Sequence, residues 1–150
     1  MTSRSRISEV LAAFPDAIID ADNLAWFDGL LHGEVRINRC RACRTWHNPP
    51  GSRCPSCLSP SLEAVAVTGA ATVDLATVLH TGPPRDGIDY VEGHPVVSVC
   101  FDEVPAVRVT ASAIGCAPAQ IRRGLRVVPE VVARAGIPTL VFRPLEESQR

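Results

Sequence analysis

Four cysteines in two closely spaced pairs constrain this chain more than any other feature. Cys40 and Cys43 form one Cys-x-x-Cys pair, and Cys54 and Cys57 form a second pair ten residues further on. Each such turn can direct two sulfur atoms at one point about 2.3 Å away, and two facing turns complete a tetrahedral zinc site. The Asn-Pro-Pro-Gly segment at 48–51 favours the chain reversal that brings the pairs together. We therefore predict structural Zn²⁺ held by Cys40, Cys43, Cys54 and Cys57.

Paired cysteines have two other uses in proteins. Two disulfides suit an oxidising compartment, but no apolar block of signal-peptide length follows the opening residues, MTSRSRISEV. A redox-active Cys-x-x-Cys needs only one pair and usually opens a helix after a strand. Because all four expected ligands are cysteine, no coordination position is open to a substrate. The metal is therefore expected to fold the chain and to perform no chemistry.

Charge and composition exclude several classes of function. The formal net charge is −1, so no overall attraction to nucleic acid or to an anionic membrane is expected. All 15 basic residues are arginine, which rules out a Schiff-base lysine. No apolar run is long enough to span a bilayer. We expect a cytoplasmic protein with no membrane partner.

The first 34 residues predict two short helices. Apolar residues recur at helical spacing in residues 5–14, and Pro15 ends the pattern. A second helix follows a start signal in residues 20–23 and stops at Gly33. Its apolar side chains either pack on the rest of the chain or form a docking surface for a ligand or a partner. The candidate partner-binding residues are Trp26, Phe27, Leu30 and Leu31.

The remainder of the chain predicts mainly β structure. Residues 34–39 alternate as a strand that leads into the first cysteine pair. Further strands are predicted at 62–67, 70–80, 94–101, 104–111, 125–132 and 138–142, with a short helical turn within 117–124. This pattern is typical of a five-stranded Greek-key barrel of the OB type. The predicted division is N-terminal helices at 1–34, a zinc ribbon at 35–61, an OB-fold barrel at 62–145 and a tail at 146–150.

Several segments together resemble a known family. They are AWFDGLLHGEVRINRCRACRTWHNPPGSRCPSC, EAVAVTGAATV, VRVTASAIGCAPAQIRRGLRVV and PTLVFRP. In these segments the chain is similar, from residue 23 to 144, to the rubredoxin-like zinc-ribbon plus OB-fold proteins associated with acyl-CoA enzymes, called domain of unknown function 35. The chain departs from the usual pattern at Arg44, where glycine is common, at Gly51, where arginine is common, and at the His94-Pro95 pair.

The resemblance implies a non-catalytic accessory subunit in lipid or steroid metabolism. Its expected partner is a sterol-carrier-type thiolase-like subunit, acting as a thiolase or as a retro-aldolase of steroid side chains. The implied assembly is a heteromer with acyl-CoA at or near the interface. A free-standing acyl-CoA-binding module is one alternative function, and an OB protein that binds single-stranded nucleic acid is another. We do not expect nucleic acid, because the barrel offers few aromatic side chains for base stacking.

Two groups of residues are candidates for a ligand site. His80 and His94 bracket the acidic loop 81–93 and are the catalytic candidates, unless that loop is simply solvated. Arginine suits the phosphates of coenzyme A, because its planar fork matches their oxygen geometry. Arginines gather around the ribbon, either for that purpose or as a solvated basic face. The CoA-phosphate candidates are Arg39, Arg41, Arg44 and Arg53.

Overall fold

The computed structural model describes residues 3–146, which contain two helices and eight strands. The described residues form two compact units, one of residues 3–68 with 136–138, and one of residues 69–135 with 139–146. The helices are α1 (Ser3–Ala13) and α2 (Leu24–Leu31). The strands are β1 (Val35–Cys40), β2 (Trp46–His47), β3 (Leu62–Val67), β4 (Ala71–Leu79), β5 (His94–Phe101), β6 (Val104–Ala113), β7 (Arg126–Arg134) and β8 (Ile137–Pro144).

The first unit contains a three-stranded antiparallel sheet in the order β2-β1-β3. Strand β3 pairs with β1 along its whole length, from Val35 opposite Val67 to Cys40 opposite Leu62. The predicted barrel began at residue 62, but this strand belongs to the ribbon sheet. Alternating apolar residues in LEAVAV identify a strand without identifying its partner, so that boundary lies after residue 68.

The two predicted helices are confirmed, and a side-chain contact marks the start of α2. Asp20 Oδ1 accepts hydrogen bonds from the backbone N–H groups of Asp22 and Asn23, at 2.9 and 3.0 Å, which orders the turn before α2. The helices pack through Phe14 and Phe27, whose ring centroids are 5.0 Å apart in an edge-to-face arrangement. The Phe14 ring therefore lies in the core of this unit, and Phe27 packs against it while remaining half-buried.

A buried carboxylate joins α1, α2 and β1. Asp28 in α2 is only 6% exposed, and Arg36 of β1 donates a 2.6 Å hydrogen bond to its Oδ2. Arg6 of α1 lies 3.4 Å from Oδ1, and Arg36 also binds Glu34. Burial alone would raise the pKa of Asp28, but the hydrogen bond from Arg36 and the charges around it hold that pKa below its usual value. The carboxylate is thus ionised at neutral pH and matched by arginine.

Replacing this carboxylate by an amide should destabilise the first unit. We expect Asp28→Asn to cost about 2 kcal/mol at pH 7, because the half-buried Arg36 loses one of its two carboxylate partners. A lowered folded-state pKa gives stability that is present above the unfolded value of about 4 and lost as pH falls through the folded value. Urea unfolding at pH 7 and pH 3 should therefore show that the variant and wild type differ less in free energy of unfolding at pH 3 than at pH 7. Asp16→Asn, at an exposed position, is the matched control.

The second unit is a closed five-stranded barrel in the order β4-β5-β6-β8-β7. Strand β7 pairs with β4 in antiparallel fashion, whereas β6 and β8 pair in parallel. This order is the predicted OB-type arrangement. A bulge between Val73 and Leu75 lets the long first strand bend around the barrel. Phe101 and Phe142 are fully buried inside, with ring centroids 6.0 Å apart.

The remaining differences from the sequence predictions are local. Strand β2 was not predicted, because two residues carry no periodic pattern. The predicted helical turn is a single 3-10 turn, Pro118–Gln120. Within residues 3–146, no helix combines the length and the apolar character needed to cross a membrane.

Candidate metal centre and its surroundings

The four predicted cysteine ligands converge on one point. Their sulfur atoms all lie within 4.8 Å of one another. The Sγ atoms of Cys40 and Cys57 are 3.6 Å apart, and those of Cys43 and Cys54 are 3.5 Å apart. A tetrahedron with zinc–sulfur bonds of about 2.3 Å has edges of about 3.8 Å. The cluster therefore has the size that a four-sulfur zinc site requires.

Two turns of the same design present these sulfur atoms. In the first knuckle, residues 40–45, the N–H of Arg44 donates to the carbonyl of Cys40 at 3.0 Å. In the second knuckle, residues 54–59, the N–H of Leu58 donates to the carbonyl of Cys54 at the same distance. Arg44 and Leu58 occupy the same place in each turn and both have left-handed backbone, with φ of 66° and 63°. The sequence therefore folds each Cys-x-x-Cys pair into the same metal-gripping shape.

The surroundings of Cys40 and Cys43 favour thiolates, the form that binds metal. At Cys57 the backbone hydrogen bond from Ser59 acts to lower the pKa, but desolvation and the neighbouring sulfur atoms outweigh it and raise the pKa to about 11. The N–H groups of Cys43 and Ser56 donate to the sulfur atoms of Cys40 and Cys54 at 3.5 and 3.4 Å. Hydrogen bonding to Thr45 lowers the pKa of Cys43 to about 6. Cys40 and Cys54 are fully buried, whereas Cys43 and Cys57 are exposed. This donor set fits structural zinc with one side of the site facing solvent.

The ribbon arginines do not share one binding geometry. Arg41 and Arg44 both lie near Glu63, at 3.5 and 3.8 Å. The guanidinium of Arg39 stacks over the ring of Trp46 at 5.0 Å. Arg53 donates to the backbone carbonyl of Leu58 at 3.1 Å. Among residues 3–146, neither Arg39 nor Arg53 forms an ion pair, so their charges are available to an anion.

The candidate docking residues of α2 differ in exposure. Leu30 is only 6% exposed, so it belongs to the core and is removed from the docking candidates. Trp26, Phe27 and Leu31 are half-buried and keep part of their apolar surface in solvent. Sequence reasoning missed Ile18, which is 89% exposed in the connection before α2, because it lies outside the helical pattern.

The two candidate catalytic histidines have different surroundings. His80 is exposed at the end of β4. His94 is 7% exposed, and its Nε2 lies 2.8 Å from Ser112 Oγ. Burial and the positive charge of Arg134 lower the pKa of His94, so this imidazole is neutral at pH 7. Neither Ser112 nor Arg134 was singled out from the sequence, because no local motif links residues so far apart.

Comparison with known proteins agrees with this geometry. The family model described as the ChsH2 rubredoxin-like zinc ribbon domain matches residues 27–63. The chain is also similar to a solved structure of the Ltp2-ChsH2(DUF35) aldolase, with 32% identity and a TM-score of 0.74. That match covers 85% of this chain and 98% of the other. The chain belongs to the DUF35 family. Its cofactor is structural zinc, consistent with a zinc-ribbon domain whose four cysteines lie close together.

Two further proteins extend the DUF35 comparison. A DUF35 protein of unknown function from Sulfolobus solfataricus has 17% identity and a TM-score of 0.62, with 96% of this chain and all of that chain covered. This match shows the shared fold. The "Probable enoyl-CoA hydratase alpha subunit" of Thermomonospora curvata is 32% identical over 131 residues, which is 87% of this chain. The chain spans only 40% of the length of that relative.

Proposed function

We propose that this DUF35 protein is a non-catalytic accessory subunit of a cytoplasmic acyl-CoA enzyme. Its proposed partner is a sterol-carrier-type thiolase-like subunit that acts as a thiolase or as a steroid side-chain retro-aldolase. The observation that carries the proposal is the similarity over 98% of a chain from the Ltp2-ChsH2(DUF35) aldolase. The enoyl-CoA hydratase subunit of Thermomonospora curvata adds support, because its name refers to an acyl-CoA substrate.

The first unit offers an apolar surface that suits docking. Trp26 and Phe27 are half-buried on α2, and on α1 Ile7 and Leu11 are 40% and 48% exposed. Apolar side chains left in solvent on two neighbouring helices favour association with another protein. We propose this helical face, defined by Ile7, Leu11, Trp26, Phe27 and Leu31, as the surface that binds the thiolase-like partner.

The ribbon offers cationic groups for the phosphates of coenzyme A. Arg39 and Arg53 are the stronger candidates, because neither forms an ion pair within residues 3–146. Arg41 and Arg44 share Glu63, which neutralises part of their charge. We propose that the first two arginines bind phosphate oxygens of an acyl-CoA held at or near the partner interface.

Co-purification tests the proposed assembly. The zinc-loaded chain should elute with a thiolase-like subunit encoded beside it, in a fixed ratio, on size-exclusion chromatography. Trp26→Glu should weaken that complex at least tenfold, because it places a charge on the helical face. Val91→Glu, at a position 89% exposed on the second unit, should leave the complex unchanged. A well-behaved monomer that binds no such partner would contradict the proposal.

Acyl-CoA affinity of the assembled complex tests the phosphate contacts. We expect Arg39→Gln and Arg53→Gln each to weaken acyl-CoA binding about tenfold, because each removes a charge-assisted contact. Arg41→Gln should have a smaller effect, since Glu63 already lies beside this arginine. Equal affinity of the isolated chain for acyl-CoA would favour a free-standing module. Tight, salt-sensitive binding of a single-stranded oligonucleotide would favour the nucleic-acid alternative instead.

A further inference from the structure

Three polar residues on strands β5, β6 and β7 of the barrel form a cluster. His94 is the first residue of β5, Ser112 is next to the last residue of β6, and Arg134 is the last residue of β7. Because β5 runs antiparallel to both β4 and β6, His94 and Ser112 share the end at which β4 finishes. The side chain of Arg134 reaches Ser112 from β7. The loop 81–93 leaves β4 at this same end. Strand pairing and one side-chain contact thus bring together three residues that are distant in sequence.

The three side chains form a directed hydrogen-bonded chain. Arg134 Nη1 donates to Ser112 Oγ at 3.2 Å, and Ser112 Oγ lies 2.8 Å from His94 Nε2. The neutral imidazole can accept the serine proton at Nε2 and carry its own proton on Nδ1. Ser112 therefore links a fixed positive charge to an uncharged histidine that is 7% exposed.

Arg134 differs from three other half-buried arginines of the chain. Arg36, Arg126 and Arg143 each have a carboxylate oxygen within 2.7 Å. Within residues 3–146, the Ser112 hydroxyl is the one hydrogen-bond acceptor recorded for Arg134. A guanidinium has five N–H donors, and a partly buried charge is costly without an anionic partner. The remaining donors of Arg134 are thus available to an external anion.

The loop 81–93 packs beside this cluster. The Tyr90 hydroxyl donates to the carbonyl of Pro83 at 3.2 Å, and its ring meets His94 edge-on at a centroid distance of 6.3 Å. Gly82 has no room for a side chain, because a Cβ there would collide with the Tyr90 hydroxyl. A Cβ on Gly87 would lie 3.9 Å from Arg134 Nε, so the loop backbone approaches the guanidinium closely. The loop 81–93 therefore forms one side of the cluster.

We propose that Arg134, Ser112 and His94 form a binding site for a carboxylate group. Two free N–H groups of a guanidinium match the two oxygens of a carboxylate. The cluster supplies a single positive charge, and the adjoining loop contains Asp86, Asp89 and Glu92, so a monoanion fits better than a dianionic phosphate. The carboxylate belongs either to a small organic acid or to an acidic side chain of a protein. This site is independent of the acyl-CoA proposal.

NMR titration of the zinc-loaded, ¹⁵N-labelled full chain tests the site. Acetate should give saturable shifts of the Arg134 Nε–H and the His94 ring, with a dissociation constant on the order of millimolar, since so small a ligand has few contacts. Acetamide, the neutral analogue, should give none. Inorganic phosphate at equal ionic strength should bind more weakly than acetate. Arg134→Gln should weaken acetate binding at least tenfold, whereas Arg85→Gln, in the exposed part of the loop, should not.

A second variant and a peptide ligand complete the test and identify the source of the carboxylate. Arg134→Lys retains the charge without the planar fork and should bind acetate more weakly than wild type but more tightly than Arg134→Gln. This variant tests the site if the glutamine variant fails to fold. Tighter binding of the peptide acetyl-Gly-Asp-Gly-amide than of acetate would identify a protein side chain, and the reverse a small acid. Equal shifts with acetamide, tighter binding of phosphate, or unchanged acetate affinity in both Arg134 variants would overturn the proposal.

Discussion

Cys54→Ser should abolish stoichiometric zinc binding and unfold the ribbon sheet. Cys54 is fully buried, and its sulfur lies 3.5 Å from that of Cys43. Its replacement therefore removes one of the four zinc ligands on the buried side of the site. Structural zinc contributes about 10–16 kcal/mol in zinc-finger peptides, far more than a small three-stranded sheet can replace. Elemental analysis should find less than one zinc per chain. Hydrogen exchange should show loss of amide protection in β1 and β3.

The same experiment separates the two units. Strand β5 should keep its protection in Cys54→Ser, because the barrel has its own core of buried residues such as Val97 and Phe101. Cys116→Ser provides the matched control, since Cys116 is half-buried and lies outside the cluster. It should retain one zinc and a protected ribbon. Full protection of β1 and β3 in metal-free protein would show that the metal is not needed for this fold.

Phe142→Ala should destabilise the barrel by about 3–5 kcal/mol. Phe142 is fully buried on β8, opposite Ala113 of β6, and its ring packs against that of Phe101. Removing the ring leaves a cavity beside the parallel pairing of β6 with β8, and the surrounding side chains can fill it only in part. A lower urea midpoint of the barrel transition, at unchanged slope, is the expected measurement.

A control and a milder variant make this result interpretable. Val91→Ala removes an apolar side chain that is 89% exposed and should change stability by less than about 0.5 kcal/mol. If Phe142→Ala does not fold at all, Phe142→Leu should fold with a smaller loss of about 1–2 kcal/mol, because most of the volume is kept. A loss below 1 kcal/mol for the alanine variant would contradict a core role for this ring.

Features encoded by nearby residues could be predicted from the sequence. The spacing of the cysteines predicted the metal cluster, since each Cys-x-x-Cys turn forms its own backbone hydrogen bonds. The apolar periodicity predicted both helices, and turn residues separated the barrel strands. The bounds of β5 agree with the prediction because polar turns flank it on both sides. In all these cases the sequence pattern and the structure that it predicts lie within the same short segment.

Features that depend on distant residues could not be predicted in this way. Nothing in the sequence of β3 indicates that β1 is its partner, because alternation does not encode pairing. The same applies to the contact of Arg134 with Ser112, which lies 22 residues earlier in the chain. The burial of Leu30 was also missed, because helical spacing gives a face but not the element that covers it. Tertiary contacts decide these features.

The left-handed residues at the knuckles have a consequence for how this surface can diversify. Left-handed backbone costs a residue other than glycine or asparagine about 1–2 kcal/mol, yet the knuckles place arginine and leucine there. Bonds to zinc can hold such a turn against that cost. The positions of Arg44 and Leu58 therefore tolerate side chains that an unmetallated turn would reject, and both project from the surface, the leucine at 67% exposure. Metal coordination therefore allows a wider range of side chains at the exposed tip of each turn.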